Sequence, residues 1–231
     1  MVDRDAGRIL PPMPNPLRRI APAIAALLVC SLVAPLAHAE QPSLLSSLFG
    51  GPPEDGRHFY VGSSLFMLAN AVLHDHPPVF IQLNGGYRVT PKDTLSVEAI
   101  TWRYYHPLGI PYGSSRESPE EEYPGHVREY GVGMAYQRFL WKGLYASLSA
   151  VPFFRQYYDA VEHRIGNGFQ LFMTLRHGYQ VRFLDRLFVE PSIAATFWPV
   201  STNVPEAFAK LDRRWPRYFL FEPGFHMGVE L

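Results

Sequence analysis

Along most of this chain apolar and polar side chains alternate one for one, the repeat of an extended strand whose two faces meet different surroundings. Segment 218–231 is the plainest case. Phe219, Phe221, Pro223, Phe225, Met227, Val229 and Leu231 fall on one face, and Tyr218, Leu220, Glu222, Gly224, His226, Gly228 and Glu230 fall on the other. Segment 168–183 behaves alike, with Phe169, Leu171, Met173, Leu175, His177, Tyr179, Val181 and Phe183 opposed to Gln170, Phe172, Thr174, Arg176, Gly178, Gln180 and Arg182. Six more segments, 59–69, 79–89, 94–105, 127–139, 144–157 and 187–198, have strand character and bring the predicted total to eight. The pattern is poorest in 94–105, where Ile100, Trp102 and Tyr104 interrupt the polar face and a bulge is expected. Bulges are also expected beside Pro152, Pro191 and Pro223, since a proline inside a strand removes a ladder hydrogen bond.

The connections sort by length. Turns 90–93, 140–143 and 184–186 are short, whereas 70–78, 106–126, 158–167 and 199–217 are long, and the two kinds alternate. That order predicts an all-β fold, an eight-stranded antiparallel up-and-down transmembrane β-barrel with short periplasmic turns and long extracellular loops.

Charge decides which face points where. Arg88, Glu98, Glu129, Arg155, Arg176, Arg182, Glu190, Glu222 and Glu230 all fall on the polar faces. An eight-stranded barrel is just wide enough for its side chains to fill, so these residues are expected to form an internal network of paired charges, a plug and not a pore. The opposite face carries Arg103 and Arg138 only near strand ends, where a long stem reaches the interface. Tyr87, Tyr130, Tyr136, Phe154, Phe169, Phe183, Phe197 and Phe219 gather toward strand ends on that face and are the expected membrane-anchoring girdle.

The N-terminus reads as an export signal. Arg18 and Arg19 precede an apolar run over 20–36, and Ala37-His38-Ala39 offers a signal-peptidase site, so 1–39 is expected to be a signal peptide. A Ser/Gly/Pro-rich periplasmic lead follows over 40–57, then the barrel over 58–231. Cys30, the single cysteine, lies inside the signal, which excludes disulfide frameworks and cysteine chemistry downstream. The whole chain balances 21 basic against 21 acidic residues, and this gives no support to nucleic-acid binding.

Taken together, 59–231 resembles the small eight-stranded outer-membrane β-barrel proteins, in architecture and not through a diagnostic motif. The resemblance implies a bacterial outer-membrane location, with membrane lipid and lipopolysaccharide as surroundings. It also implies recognition of the final strand by the barrel-assembly machinery through the alternation Phe225, Met227, Val229 and Leu231. Members of that class commonly end on an aromatic residue, where this chain has Leu231. An enzymatic branch, the lipid A deacylases, uses a His-x-Ser pair, but His163 is followed by Arg164, Ile165, Gly166 and Asn167. His177 has Leu175, Arg176, Gly178 and Tyr179 as sequence neighbours, so no nucleophile is visible.

The expected function is therefore non-catalytic, structural or surface-binding through the long outer loops, with no catalytic residue, cofactor or metal. A lipid A-modifying enzyme and a soluble barrel carrying an apolar ligand are the alternatives. Two loops carry chemistry. The acidic run over 116–123 lacks the spacing of a calcium loop. In 201–217, Pro205 is placed to open a helical turn with Phe208 and Leu211 on one face and Lys210, Arg213, Arg214 and Trp215 nearby. That loop either meets lipopolysaccharide phosphates or packs on itself over the barrel mouth.

Overall fold

The computed structural model describes residues 57–64, 78–107, 109, 122–183 and 186–231. Within them lie nine strands: β1 (Phe59–Ser64), β2 (Val79–Arg88), β3 (Asp93–Tyr104), β4 (Gly125–Trp141), β5 (Leu144–Asp159), β6 (Arg164–Tyr179), β7 (Val181–Phe183), β8 (Leu187–Thr202) and β9 (Tyr218–Glu230). One helix, α1 (Glu206–Asp212), is described. The strands form a single antiparallel sheet in the order β6-β5-β4-β3-β2-β1-β9-β8-β7, and β6 also pairs with β8, so the sheet closes into a ring.

β6 and β7 are one stave interrupted at Gln180. Gly178 faces Ser192 and Val181 faces Val189, so the register against β8 is the same on both sides of the break. The missing rungs lie opposite Glu190 and Pro191, where the proline has no N–H to give. The Gln180 side chain bridges the gap, its Nε2 donating to Glu190 Oε1 at 2.9 Å. Counted as staves, the ring has eight members.

The expected irregularities are met near Pro191 and Pro223 but not in β3. β3 runs in unbroken register against both β2 and β4, without the bulge expected there. Ile100, Trp102 and Tyr104 keep to the inner face; what changes is the interior itself, which turns from polar to aromatic toward one end. Beside Pro152 two rungs with β4 are absent, yet the register resumes unshifted. Near Pro223 the ladder does slip, between Ala194 and Thr196 on β8, and Phe221 on β9 takes a left-handed φ of 61° there.

At the end of the ring carrying the tight turns, Thr90 Oγ1 donates to Asp93 Oδ2 at 2.6 Å, and Lys142 turns the β4–β5 hairpin with φ 48°. At the other end the β5–β6 connection is shorter than expected. Both strands extend past 158–167, so that only Ala160 to His163 turn, with the Asp159 carboxylate accepting the Val161 and His163 amides at 3.0 and 2.8 Å. Long and short connections therefore do not alternate strictly. The connection between β8 and β9 holds α1, which starts at Pro205 as its sequence suggests.

Large side chains fit inside so narrow a ring because glycine faces aromatic across several rungs. Tyr60 pairs with Gly86 and Tyr145 with Gly178, and a methyl on either glycine would fall within the ring opposite.

Candidate functional site

The inner face is built in tiers, and the charged residues picked out by alternation all lie on it. In the tier nearest the tight turns, Glu230 Oε1 accepts from Arg182 Nη2 at 2.7 Å and from Arg88 Nη2 at 3.1 Å. Arg88 also lies over the Phe139 ring at 5.4 Å. Glu190 accepts from Gln137 at 3.2 Å and from Gln180 at 2.9 Å, so neutral amides solvate this carboxylate.

Above that floor the side chains leave a space unfilled. A cavity of about 110 Å³ lies among Glu98, Arg176, Glu222, His226, Ser149 and Thr196. Arg176 Nη1 is 2.9 Å from His226 Nδ1 and 3.4 Å from Ser192 Oγ, and Thr196 Oγ1 donates to Glu222 at 3.0 Å. Among the described residues, Glu98, Arg176, Glu190 and Glu222 form no ion pair within 4 Å, where alternation alone suggested tight pairing. A methyl group on Gly224 would fall against Arg176 Nη1 and Ser192 Oγ, so glycine leaves room here for the arginine.

The cavity is roofed by aromatics. Phe172 and Trp198 stack at 6.0 Å with an interplanar angle of 6°, while Trp102 and Phe153 meet Phe172 edge-on at 6.3 and 5.9 Å. Phe219 also lines this space. It pairs across the slip with Thr196, an inner residue, so it faces inward and is not part of an outer girdle. The cause is the extra residue at Phe221, which reverses the faces beyond it.

Over the roof sits a second buried pair. Arg155 and Glu129 approach to 2.6 Å, Tyr104 Oη donates to Glu129 at 2.7 Å, Arg155 also reaches the Tyr104 hydroxyl, and its Nη1 meets Ser201 at 3.2 Å. α1 closes this end: Phe208 and Leu211 pack into a core with Tyr104, Tyr123, Val127 and Tyr157. Of the two readings of 201–217, the self-packed one describes these two side chains. The Tyr123 hydroxyl donates to the Asp212 carboxylate. Burial pushes Asp212 above the usual carboxylate range, partly opposed by that hydroxyl and by Arg155 and Arg217. Exposed Glu206 is held below its usual range by its hydrogen bond and charge contact with Arg213.

The outer face is apolar in rows that cross the sheet. Leu95, Tyr136, Leu148 and Leu175 share one rung, Val97, Met134, Ala150 and Met173 another, and Thr101, Tyr130, Phe154 and Phe169 a third. Tyr87, Tyr130, Tyr136, Phe154, Phe169 and Phe183 are exposed on this face, and Phe197 is half-buried opposite Met173. Charged rows bound the band. At the turn end Arg138 meets Asp93 at 2.8 Å and the Tyr136 hydroxyl donates to the same carboxylate at 2.5 Å. At the α1 end stand Arg103 and Arg128. His177 lies in the outer face with Ala146 and Ile193 as its cross-strand partners.

Sequence reasoning missed the aromatic roof, the glutamines that serve Glu190, and the link from Tyr123 to Asp212. Even spacing on the inner face, Ile100, Trp102 and Tyr104, was the available signal for the roof. Most of the acidic run over 116–123 lies outside the described residues. Among those described, no group of three or more His, Cys, Asp or Glu is arranged to hold a metal ion. No protein-family model matches the chain, and no curated protein matches it either.

Proposed function

We propose that this chain is an integral β-barrel of a bacterial outer membrane. In this reading it acts without catalysis, as a capped, polar-cored barrel that works through its α1-end rim and loops. One observation carries the reading: burial is inverted relative to a water-soluble protein. Val132 and Met134 are each 62% exposed on the outside, while Glu129 is 1% and Arg155 3% exposed on the inside. In water both placements oppose folding, because apolar area stays wet and charge is desolvated. In a bilayer the outer face is matched to its solvent, and the ring leaves no strand edge for lipid to meet.

Dimensions support the same reading. On β4 the outward sequence Arg128, Tyr130, Val132, Met134, Tyr136, Arg138 places aromatics and then arginines symmetrically about an apolar centre. Ten residues of strand cover about 34 Å, or about 26 Å of height at a tilt of about 40°, close to the apolar band of such barrels. The export-signal pattern over 1–39 agrees with a destination outside the cytoplasm.

The test is membrane fractionation of cells expressing the full chain, combined with gel migration before and after boiling. An outer-membrane barrel fractionates with that membrane and shifts its migration on heating. Recovery in the soluble fraction without detergent, with identical migration in both lanes, overturns the proposal.

A further inference from the structure

Arg103 of β3 and Arg128 of β4 are directly opposed cross-strand partners, both on the outer face one rung above Thr101 and Tyr130. Like charges in that relation repel. The same two strands carry a second charged rung at the far margin of the apolar band, and there the partners are Asp93 and Arg138, of opposite sign and 2.8 Å apart. One margin is thus internally neutralised, whereas the other carries two arginines, one of which meets Glu162.

The surroundings of the arginine rung orient it as a donor array. Arg128 lies over the Tyr130 ring at 5.2 Å and Arg103 over Tyr105 at 5.4 Å, so each guanidinium rests on an aromatic face. Gln156 is the next residue along the same rung, on β5. Its Oε1 accepts the Tyr158 hydroxyl at 3.0 Å, which leaves its Nε2 as a further donor. Glu162 engages Arg103 at 2.9 Å from the loop side. Among the described residues no carboxylate lies within 4 Å of Arg128, so the pair keeps an excess of positive charge.

We propose that Arg103, Arg128 and Gln156 form a phosphate-binding site at the outer margin of the membrane. Its ligand is a phosphate monoester carried on the headgroup of a neighbouring lipid. Two adjacent guanidinium forks match the oxygens of a phosphate better than they match any single carboxylate. A headgroup phosphate also stands at the height of this rung when the apolar band below it is in hydrocarbon. The proposal rests on the outer-membrane reading, which supplies the lipid.

The test is native mass spectrometry of the full chain in a neutral detergent with phosphatidic acid, phosphatidylcholine or inorganic phosphate as probe. The wild-type protein should retain phosphatidic acid in preference to phosphatidylcholine. R103Q/R128Q should bind it at least about tenfold more weakly, and Arg128→Gln alone to an intermediate degree. Arg138→Gln, at the neutralised margin, should bind as the wild type does. If inorganic phosphate competes at equal concentration, the phosphate chemistry stands and the source is free anion; if it does not, the lipid is the ligand. Equal retention by wild type and R103Q/R128Q, or equal loss in Arg138→Gln, overturns the site. Heat-shifted migration, measured on the same samples, separates the two failures: a barrel that shifts but ignores R103Q/R128Q loses only this site, whereas a wild type that never shifts removes the membrane reading itself.

Discussion

The Tyr123 hydroxyl donates to the Asp212 carboxylate and so ties the segment before β4 to the helix that caps one end of the ring. Burial holds Asp212 above the ordinary carboxylate range. A carboxyl whose folded value is raised contributes stability that is complete below its unfolded value, near 4, and is lost as pH rises through the folded value. The cap should therefore dock more firmly in mild acid. The midpoint of the heat-induced migration shift, taken as wild type minus Asp212→Asn, should rise as pH falls from 7 toward 5. A difference that stays level across that range would refute the assignment.

Glu230 is the shared acceptor of Arg88 and Arg182. Removing the charge leaves two buried guanidinium groups facing an amide, and breaking a buried pair of this kind costs about 3–5 kcal/mol. Glu230→Gln should lower the heat-shift midpoint more than any single substitution among the exposed ion pairs, for example Glu206→Gln, whose partner Arg213 is in solvent.

Pro191 sits where the β6/β7 stave loses its rungs to β8. Pro191→Val restores one N–H donor on a lipid-facing position without adding charge. A gain of about 1 kcal/mol in unfolding free energy is expected. No gain would mean that the rung stays open even with the donor present.

Val132 lies at the centre of the apolar band and is open to its surroundings. In a bilayer Val132→Arg should cost about 2–4 kcal/mol, read as reduced folding into lipid vesicles. In a water-soluble protein an exposed position of this kind accepts arginine with almost no cost. Equal folding yields for both proteins would count against membrane insertion.

The strands and their faces were legible because a two-residue repeat survives wherever the ladder is regular. Phe219 shows where that reading breaks. Its position in the alternation is apolar and outward, but the extra residue at Phe221 resets the count, and nothing in the side chains announces a left-handed φ at a phenylalanine. Trp102 shows the opposite failure: it disturbs a polar-inside pattern, yet the ladder is sound and the interior has changed character. The Tyr123–Asp212 link was out of reach, since the two residues belong to separate connections and meet only when the ring has formed. Asp159, by contrast, carried its signal openly, as an aspartate whose carboxylate takes the amides two and four residues on.

The ring closes where β1 meets β9, with Tyr60 opposite Glu230, and the Leu231 amide donates to the Phe59 carbonyl at 2.8 Å. Every other seam joins strands that are neighbours in sequence, so hairpins can zip from either side, but this one must wait for the first and last staves to find each other. Until then the sheet is an open ribbon with two unpaired borders, and long-range closure is the slow part of folding. The β1–β9 seam is thus the pairing of longest sequence separation in the ring, and while it is open both borders can accept a neighbouring strand.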